Sequence, residues 1–250
     1  MTSADPGPWL RALRVVAITD RRLMVPANIL AGPWSAVVQA FGAAVARAVA
    51  GCAAGSVVVQ IREKDLDGGL LLQLVRAAQP FAPIIVNDRV DVALAAGAAG
   101  IHLPERGLAV ADVRALAPAL VVGVSRHGRP LDRNPDAAPH EGDHPTIDTP
   151  DSIASAAARD RGAPDLIQLG PIWPTPSKPT VPGLGEAALA WPHGTATLVA
   201  VGGVDTPARA AAAAAAGADA VAVIRAAWSG ASLGPFVGAI EAGRRRPRLL

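Results

Sequence analysis

The feature that most constrains this chain is a rhythm. Short runs rich in Val, Ile, Leu and Ala recur at residues 14–19, 56–61, 83–87, 99–103, 120–124, 165–169, 197–201 and 218–223. They are predominantly apolar rather than alternating, the pattern of strands buried on both faces. Most are separated by Ala- and Leu-rich segments of helical character, at 34–50, 68–79, 89–96, 108–117, 150–161, 206–216 and 234–243. Thr206 followed by Pro207 reads as a helix start, and Gly217 as a helix stop. Strand alternating with helix predicts an α/β fold with a parallel sheet. The count of runs and the length of 250 residues suit a closed (β/α)8 TIM barrel. A doubly wound open sheet is the alternative. It would place a Gly-rich turn after the first strand, where this chain has Thr19, Asp20 and Arg21.

Half of the residues are apolar, enough for one large core, so residues 1–250 are read as a single barrel domain. A formal net charge of only +2 gives no field that would attract nucleic acid or a membrane surface. Part of the positive excess is a basic C-terminal tail, Arg244, Arg245, Arg246 and Arg248. Cys52 is the only cysteine, which excludes an internal disulfide, and its apolar neighbours make it a small core residue. The first residues lack a basic region followed by an apolar stretch, so no signal peptide is read there. The uncharged stretch 26–46 is interrupted by Pro26, Asn28, Pro33, Ser35 and Gln39, which argues against a membrane span. A cytoplasmic protein is the expectation. Residues 128–148 break the rhythm with Pro, Asp, His and Arg and read as a long lid or disordered loop. His140 and His144 lie within it, but Pro139 and Pro145 argue against a helical metal site.

In a barrel, chemistry sits at the carboxyl ends of the strands. The second run continues into Gln60, Arg62 and Lys64, two apart, which an extended chain would point to one face. Two cations there suit a bound anion. Pairing with Glu63 or Asp65 on the surface is the equally weighted alternative. The third ends in Asn87 and Asp88; Asp88 reads as a helix cap or as a magnesium ligand. His102 lies inside the fourth, with Glu105 the nearest carboxylate. Ser125 and His127 follow the fifth, one able to donate to a phosphate and the other to move a proton. A Pro-dense stretch after the sixth carries Thr175, Ser177 and Lys178. Gly202 and Gly203 follow the seventh, and Val223–Ile224 close the eighth, where backbone N–H groups can meet an oxyanion.

Taken together, AITD, VQIREKD, NDRVDVALAAGAAGIHL, GVSRH, LGPIWPTPSK, VAVGGV and GADAVAVI occur in one order over residues 15–225. In that order they resemble the thiamine phosphate synthase and TenI (thiazole tautomerase) family. The resemblance implies a (β/α)8 barrel that joins hydroxymethylpyrimidine diphosphate to thiazole phosphate and releases pyrophosphate with Mg²⁺. It implies that Gln60, Arg62, Lys64, Asn87, Ser125 and Lys178 hold the pyrimidine diphosphate and that Asp88 ligates magnesium. Thr175, Ser177, Gly203 and the backbone at Val223–Ile224 would hold the thiazole phosphate. One motif departs from the pattern. Where synthases carry Gly-Gln-x-Asp, this chain reads Pro104-Glu105-Arg106-Gly107, so a second metal carboxylate is missing. The tautomerase branch also tends to lack that Asp, and in it a residue like His127 would shuttle a proton without metal. A non-catalytic relative that kept the phosphate sites is the third reading. The exposed helices of such a barrel are the face through which a homodimer would form.

Overall fold

The computed structural model describes residues 8–127, 162–175 and 181–244. The expectations for the 128–148 loop, the helix at 150–161, Ser177, Lys178 and the tail beyond Arg244 lie outside the described residues.

Eight parallel strands close into one barrel in sequence order: β1 (Val15–Ile18), β2 (Val57–Ile61), β3 (Ile84–Asn87), β4 (Gly100–Leu103), β5 (Val121–Arg126), β6 (Leu166–Leu169), β7 (Thr197–Val201) and β8 (Ala220–Val223). Each falls within or within two residues of an apolar run read from the sequence. The open-sheet alternative is overturned by the pairing of β1 with both β2 and β8. Among the described residues the helices are α1 (Pro8–Ala12), α2 (Arg21–Met24), α3 (Ala27–Leu30), α4 (Trp34–Val49), α5 (Gly68–Ala78), α6 (Val90–Ala96), α7 (Val110–Leu116), α8 (Pro207–Ala216) and α9 (Gly234–Arg244). Helix α8 begins as expected. The Thr206 hydroxyl accepts from Arg209 N at 3.3 Å, Pro207 occupies the first turn, and Gly217 terminates it.

Strand alternation sorts the core into two layers. Val15, Ala17, Val57, Val59, Ile61, Ile84 and Val86 face outward and pack with Phe41, Leu74, Val75, Ala213 and Ile240 of the helices. Val16, Ile18, Val58, Ile85, Val121, Leu166, Val199, Ala220 and Ala222 form a separate inner cluster. Leu10 of α1 and Leu13 join that inner cluster, so the first helix plugs the amino-terminal end. The barrel is therefore closed below and can admit a ligand only from its carboxyl-terminal mouth. Cys52 is half-buried against the outer core, its sulfur 3.9 Å from the Ser232 hydroxyl.

Candidate active site

Two residues beyond the apolar inner layer, the same strand faces turn polar. Val58 gives way to Gln60, Ile85 to Asn87, Gly100 to His102, Gly123 to Ser125, and Leu166 to Gln168. Gln60, His102 and Gln168 are at most 4% exposed. Buried amides are costly unless paired, and these pair with each other. Gln168 Nε2 donates to Gln60 Oε1 at 2.5 Å, and Gln60 Nε2 donates to Asn87 Oδ1 at 3.2 Å. His102 Nε2 lies 2.8 Å from the Ser125 hydroxyl. Its Nδ1 has no hydrogen-bond partner among the described residues and faces Gly123, where a Cβ would come within 2.8 Å. Burial first, then the charges of Arg62 and His127, push the His102 imidazole down to about 3, so it is neutral at physiological pH. The five side chains make a polar floor under the mouth.

The rim differs from the sequence expectation in several places. Strand β2 ends at Ile61 and the chain turns at Lys64, so of the three only Gln60 lies on the strand itself. Gln60 is in the floor, while Arg62 and Lys64 are exposed. The surface-pairing alternative is also corrected. Glu63 and Asp65 bond to Arg21 at 3.0 and 2.6 Å, and Asp65 bonds to Arg22 at 2.8 Å. Asp88 is not a helix cap. Arg89 precedes α6 without a side-chain cap, and Asp88 adopts φ +63°, with its N–H donating to His102 O at 2.9 Å. That left-handed backbone is unusual for a non-glycine residue and turns the chain sharply at the mouth. Its exposed carboxylate is one ligand of the kind Mg²⁺ takes together with phosphate oxygens and water.

Glu105, at the departing motif, does not stand in as a free second carboxylate. Its Oε2 is 2.8 Å from His127 Nδ1, and its Oε1 accepts from His127 N at 3.3 Å. Burial would raise the Glu105 carboxyl, but the hydrogen bonds from His127 outweigh it and hold the group below its ordinary value.

Across the mouth, Gly202 and Gly203 have φ +92° and +72°. A Cβ on Gly203 would lie 2.6 Å from Trp173 Cβ, so only glycine lets the loop after β7 approach the loop after β6 this closely. Arg209 of α8 donates to Gly203 O at 2.6 Å and stands 5.6 Å from the Trp173 ring centre. Thr175 lies at the described end of the β6 loop, and Val223–Ile224 lead into a four-residue 3-10 turn, Arg225–Trp228. The strand order puts the β2–β5 ends on one arc of the rim and the β6–β8 ends on the other.

Sequence reasoning gave Gln168, Thr19, Arg21, Glu63 and Arg209 no place in the site. Gln168 carried a signal, since it is a polar residue between Ile167 and Leu169 and stands two after Leu166. The others are made relevant by contacts across strands.

The chain is similar to known proteins over most of its length. The family model described as thiamine monophosphate synthase matches residues 35–133 and 146–227. A thiamine-phosphate synthase of Methanoculleus marisnigri is 36% identical over 183 residues, covering 70% of this chain and 75% of that protein. One from Mycobacterium bovis is 34% identical over 160 residues, covering 57% and 61%. The chain spans about three fifths of the length of its relatives in Geobacter sulfurreducens (58%) and Mycobacterium bovis (61%). The solved thiamine phosphate pyrophosphorylase of Pyrococcus furiosus superposes with a TM-score of 0.59 at 22% identity, covering 94% of this chain and 98% of that one, which supports the shared barrel. With the family model matched over most of its length, the chain belongs to the thiamine monophosphate synthase family.

Proposed function

We propose that this protein is a transferase that joins hydroxymethylpyrimidine diphosphate to thiazole phosphate, releasing pyrophosphate. The observation that carries the reading is the buried floor Gln168–Gln60–Asn87, beside His102–Ser125, beneath a rim with Arg62, Lys64 and Asp88 on one arc and Gly202–Gly203 on the other. A flat aminopyrimidine needs paired amides and hydroxyls around it. A diphosphate needs cations, and a second phosphate needs approachable backbone N–H groups. One mouth supplies all three.

In this reading Gln60 and Asn87 orient the pyrimidine, with Gln168 fixing the Gln60 amide. Ser125 donates to the diphosphate, aligned by His102. The C–O bond to the diphosphate ionises, and Arg62 and Lys64 stabilise the negative charge that builds on the departing pyrophosphate. Lys178, outside the described residues, is assigned the same task. Asp88 would hold Mg²⁺, which when bound adds further neutralisation of that charge. The turn at Gly202–Gly203, with Thr175, Ser177 and the Val223–Ile224 backbone, presents the thiazole phosphate so that its ring nitrogen faces the cationic carbon. The floor, closed below by α1, keeps bulk water from the far side of that carbon.

One observation favours a second reading. The Glu105–His127 contact, together with Gly107 in the place of a carboxylate, suits a thiazole tautomerase in which His127 moves a proton. The two are separated by turnover of the paired substrates with Mg²⁺ and with EDTA in wild type and Asp88→Ala. Metal-dependent product lost in Asp88→Ala supports the transferase. Isomerisation of a carboxythiazole phosphate, unaffected by EDTA and lost in His127→Ala, would replace it.

The same proposal places the protein in the cytoplasm, acting on small phosphorylated substrates. Among the described residues no helix is long and apolar enough to cross a membrane. It also includes a homodimer formed through the exposed barrel helices, readable by sedimentation velocity.

A further inference from the structure

The segment after β2 carries both rim cations, Arg62 and Lys64, alternating with two carboxylates, Glu63 and Asp65. If those carboxylates turned to the cations beside them, the rim would present little net charge. They turn elsewhere. Glu63 is 6% exposed and collects three hydrogen bonds: from the Thr19 hydroxyl at 2.7 Å, from Arg21 N at 3.0 Å and from Arg21 Nη1 at 3.0 Å. Both Asp65 oxygens take the Arg21 guanidinium at 2.6 Å, and Oδ2 takes Arg22 as well. Thr19, 2% exposed, does two things at once. It donates to Glu63 and accepts from Arg62 N at 2.9 Å. A chain of bonds therefore runs from the Arg62 backbone through Thr19 to Glu63 and on to Arg21 and Asp65. The bond between Thr19 N and Gln60 O, at 2.9 Å, ties the same chain to the end of β2.

We propose that Thr19, Arg21 and Glu63 are positioning residues for diphosphate recognition: they fix the 62–65 segment and draw its carboxylates toward α2, so that Arg62 and Lys64 meet the anion unneutralised. The proposal rests on the reading of Arg62 and Lys64 as diphosphate ligands. Its physical basis is that a bidentate Arg–carboxylate pair holds its geometry far better than a Lys on a flexible stem. Arg21 thus outcompetes Lys64 for Asp65 and leaves Lys64 to the ligand. Thr19 adds a buried hydroxyl whose two bonds have no replacement if it is removed.

The test uses the full chain and inorganic pyrophosphate, titrated calorimetrically into wild type, Thr19→Val, Thr19→Ser and Arg21→Gln, with thermal melts to establish folding. Thiazole phosphate is titrated in parallel as the reference ligand. Thr19→Val keeps the side-chain shape and loses both bonds. It should weaken pyrophosphate binding about tenfold, the loss expected for one well-made hydrogen bond to a charged partner. Thr19→Ser should bind within about twofold of wild type, as a restored hydroxyl restores the bond. Arg21→Gln, part-exposed and therefore less disruptive to folding, should show the same selective loss. Thiazole phosphate affinity should not move in any of them. Pyrophosphate binding by folded Thr19→Val and Arg21→Gln equal to wild type would overturn the proposal and leave the transferase reading intact. Loss of both ligands in proportion would assign these residues to general stability and also overturn it. Selective pyrophosphate loss in a protein that makes no thiamine phosphate would uphold the positioning role and reject the transferase. A wild type that binds no pyrophosphate would reject both.

Discussion

Gly203→Ala separates the two halves of the proposed site. Gly203 has φ +72°, and an added Cβ would stand 2.6 Å from Trp173 Cβ, 3.1 Å from Pro174 O and 3.2 Å from Trp173 O. The left-handed backbone alone costs roughly 1–2 kcal/mol for an alanine. Forcing a methyl group against a packed side chain and main-chain carbonyls adds about 1–3 kcal/mol. A total near 2–5 kcal/mol follows if the turn keeps its shape. Gly51 provides the control, since it has the same φ of +72° and nothing within 4 Å of its would-be Cβ. Gly51→Ala should therefore show the backbone part only, about 1–2 kcal/mol. Urea unfolding of both variants measures the difference. Where the turn gives way, its N–H groups move off the phosphate. The KM for thiazole phosphate should then rise at least about tenfold, the equivalent of losing one charge-assisted hydrogen bond, with the KM for the pyrimidine diphosphate within about twofold. A Gly203→Ala no less stable than Gly51→Ala would refute the close approach of the two loops. Equal increases in both KM values would refute the assignment of this arc to one substrate.

Further outcomes follow from the same structure. The His102 imidazole is held at about 3 in the folded protein, whereas an exposed histidine titrates near 6.5. Between these values the unfolded chain binds the extra proton. The stability of the metal-free protein should therefore be full above about pH 6.5 and fall as pH drops from there towards 3. His102→Asn should flatten that part of the urea-midpoint profile, and an unchanged slope would contradict the burial argument. Glu105→Gln should leave transferase turnover within about threefold, since both oxygens of Glu105 are taken up by His127; a loss of two orders of magnitude would place Glu105 at the metal. Phe41→Ala, at a fully buried position of α4 in the outer layer, should cost about 3–5 kcal/mol in unfolding without changing either KM.

The strands were legible because burial on both faces leaves a predominantly apolar run, and every run became a strand of the barrel. The longer helices α4, α5, α8 and α9 were legible from their Ala- and Leu-rich composition, with Thr206, Pro207 and Gly217 marking α8 at both ends. Helices α1, α2 and α3 were not, since four or five residues complete barely one turn and show no period. In the site, Gln60, Asn87 and Ser125 stood out as polar residues closing apolar runs. The contacts that organise the rim did not. Thr19 and Glu63 are 44 residues apart and meet only because β1 pairs in register with β2, Ile18 opposite Gln60. Asp88 looked like a cap because a carboxylate before a helix usually is one. Its left-handed backbone, set by the donation of its N–H to the His102 carbonyl, moves it out of that role. Glu105 likewise read as a spare carboxylate until the β4 and β5 loops brought it to His127.

The most direct measurement is the stoichiometry of the reaction itself. Purified protein is incubated with hydroxymethylpyrimidine diphosphate, thiazole phosphate and Mg²⁺, and thiamine phosphate and pyrophosphate are quantified together by chromatography. The account predicts equal amounts of the two products, formed over many turnovers and abolished by chelation of the metal. No thiamine phosphate at enzyme concentrations comparable with the substrates would contradict it.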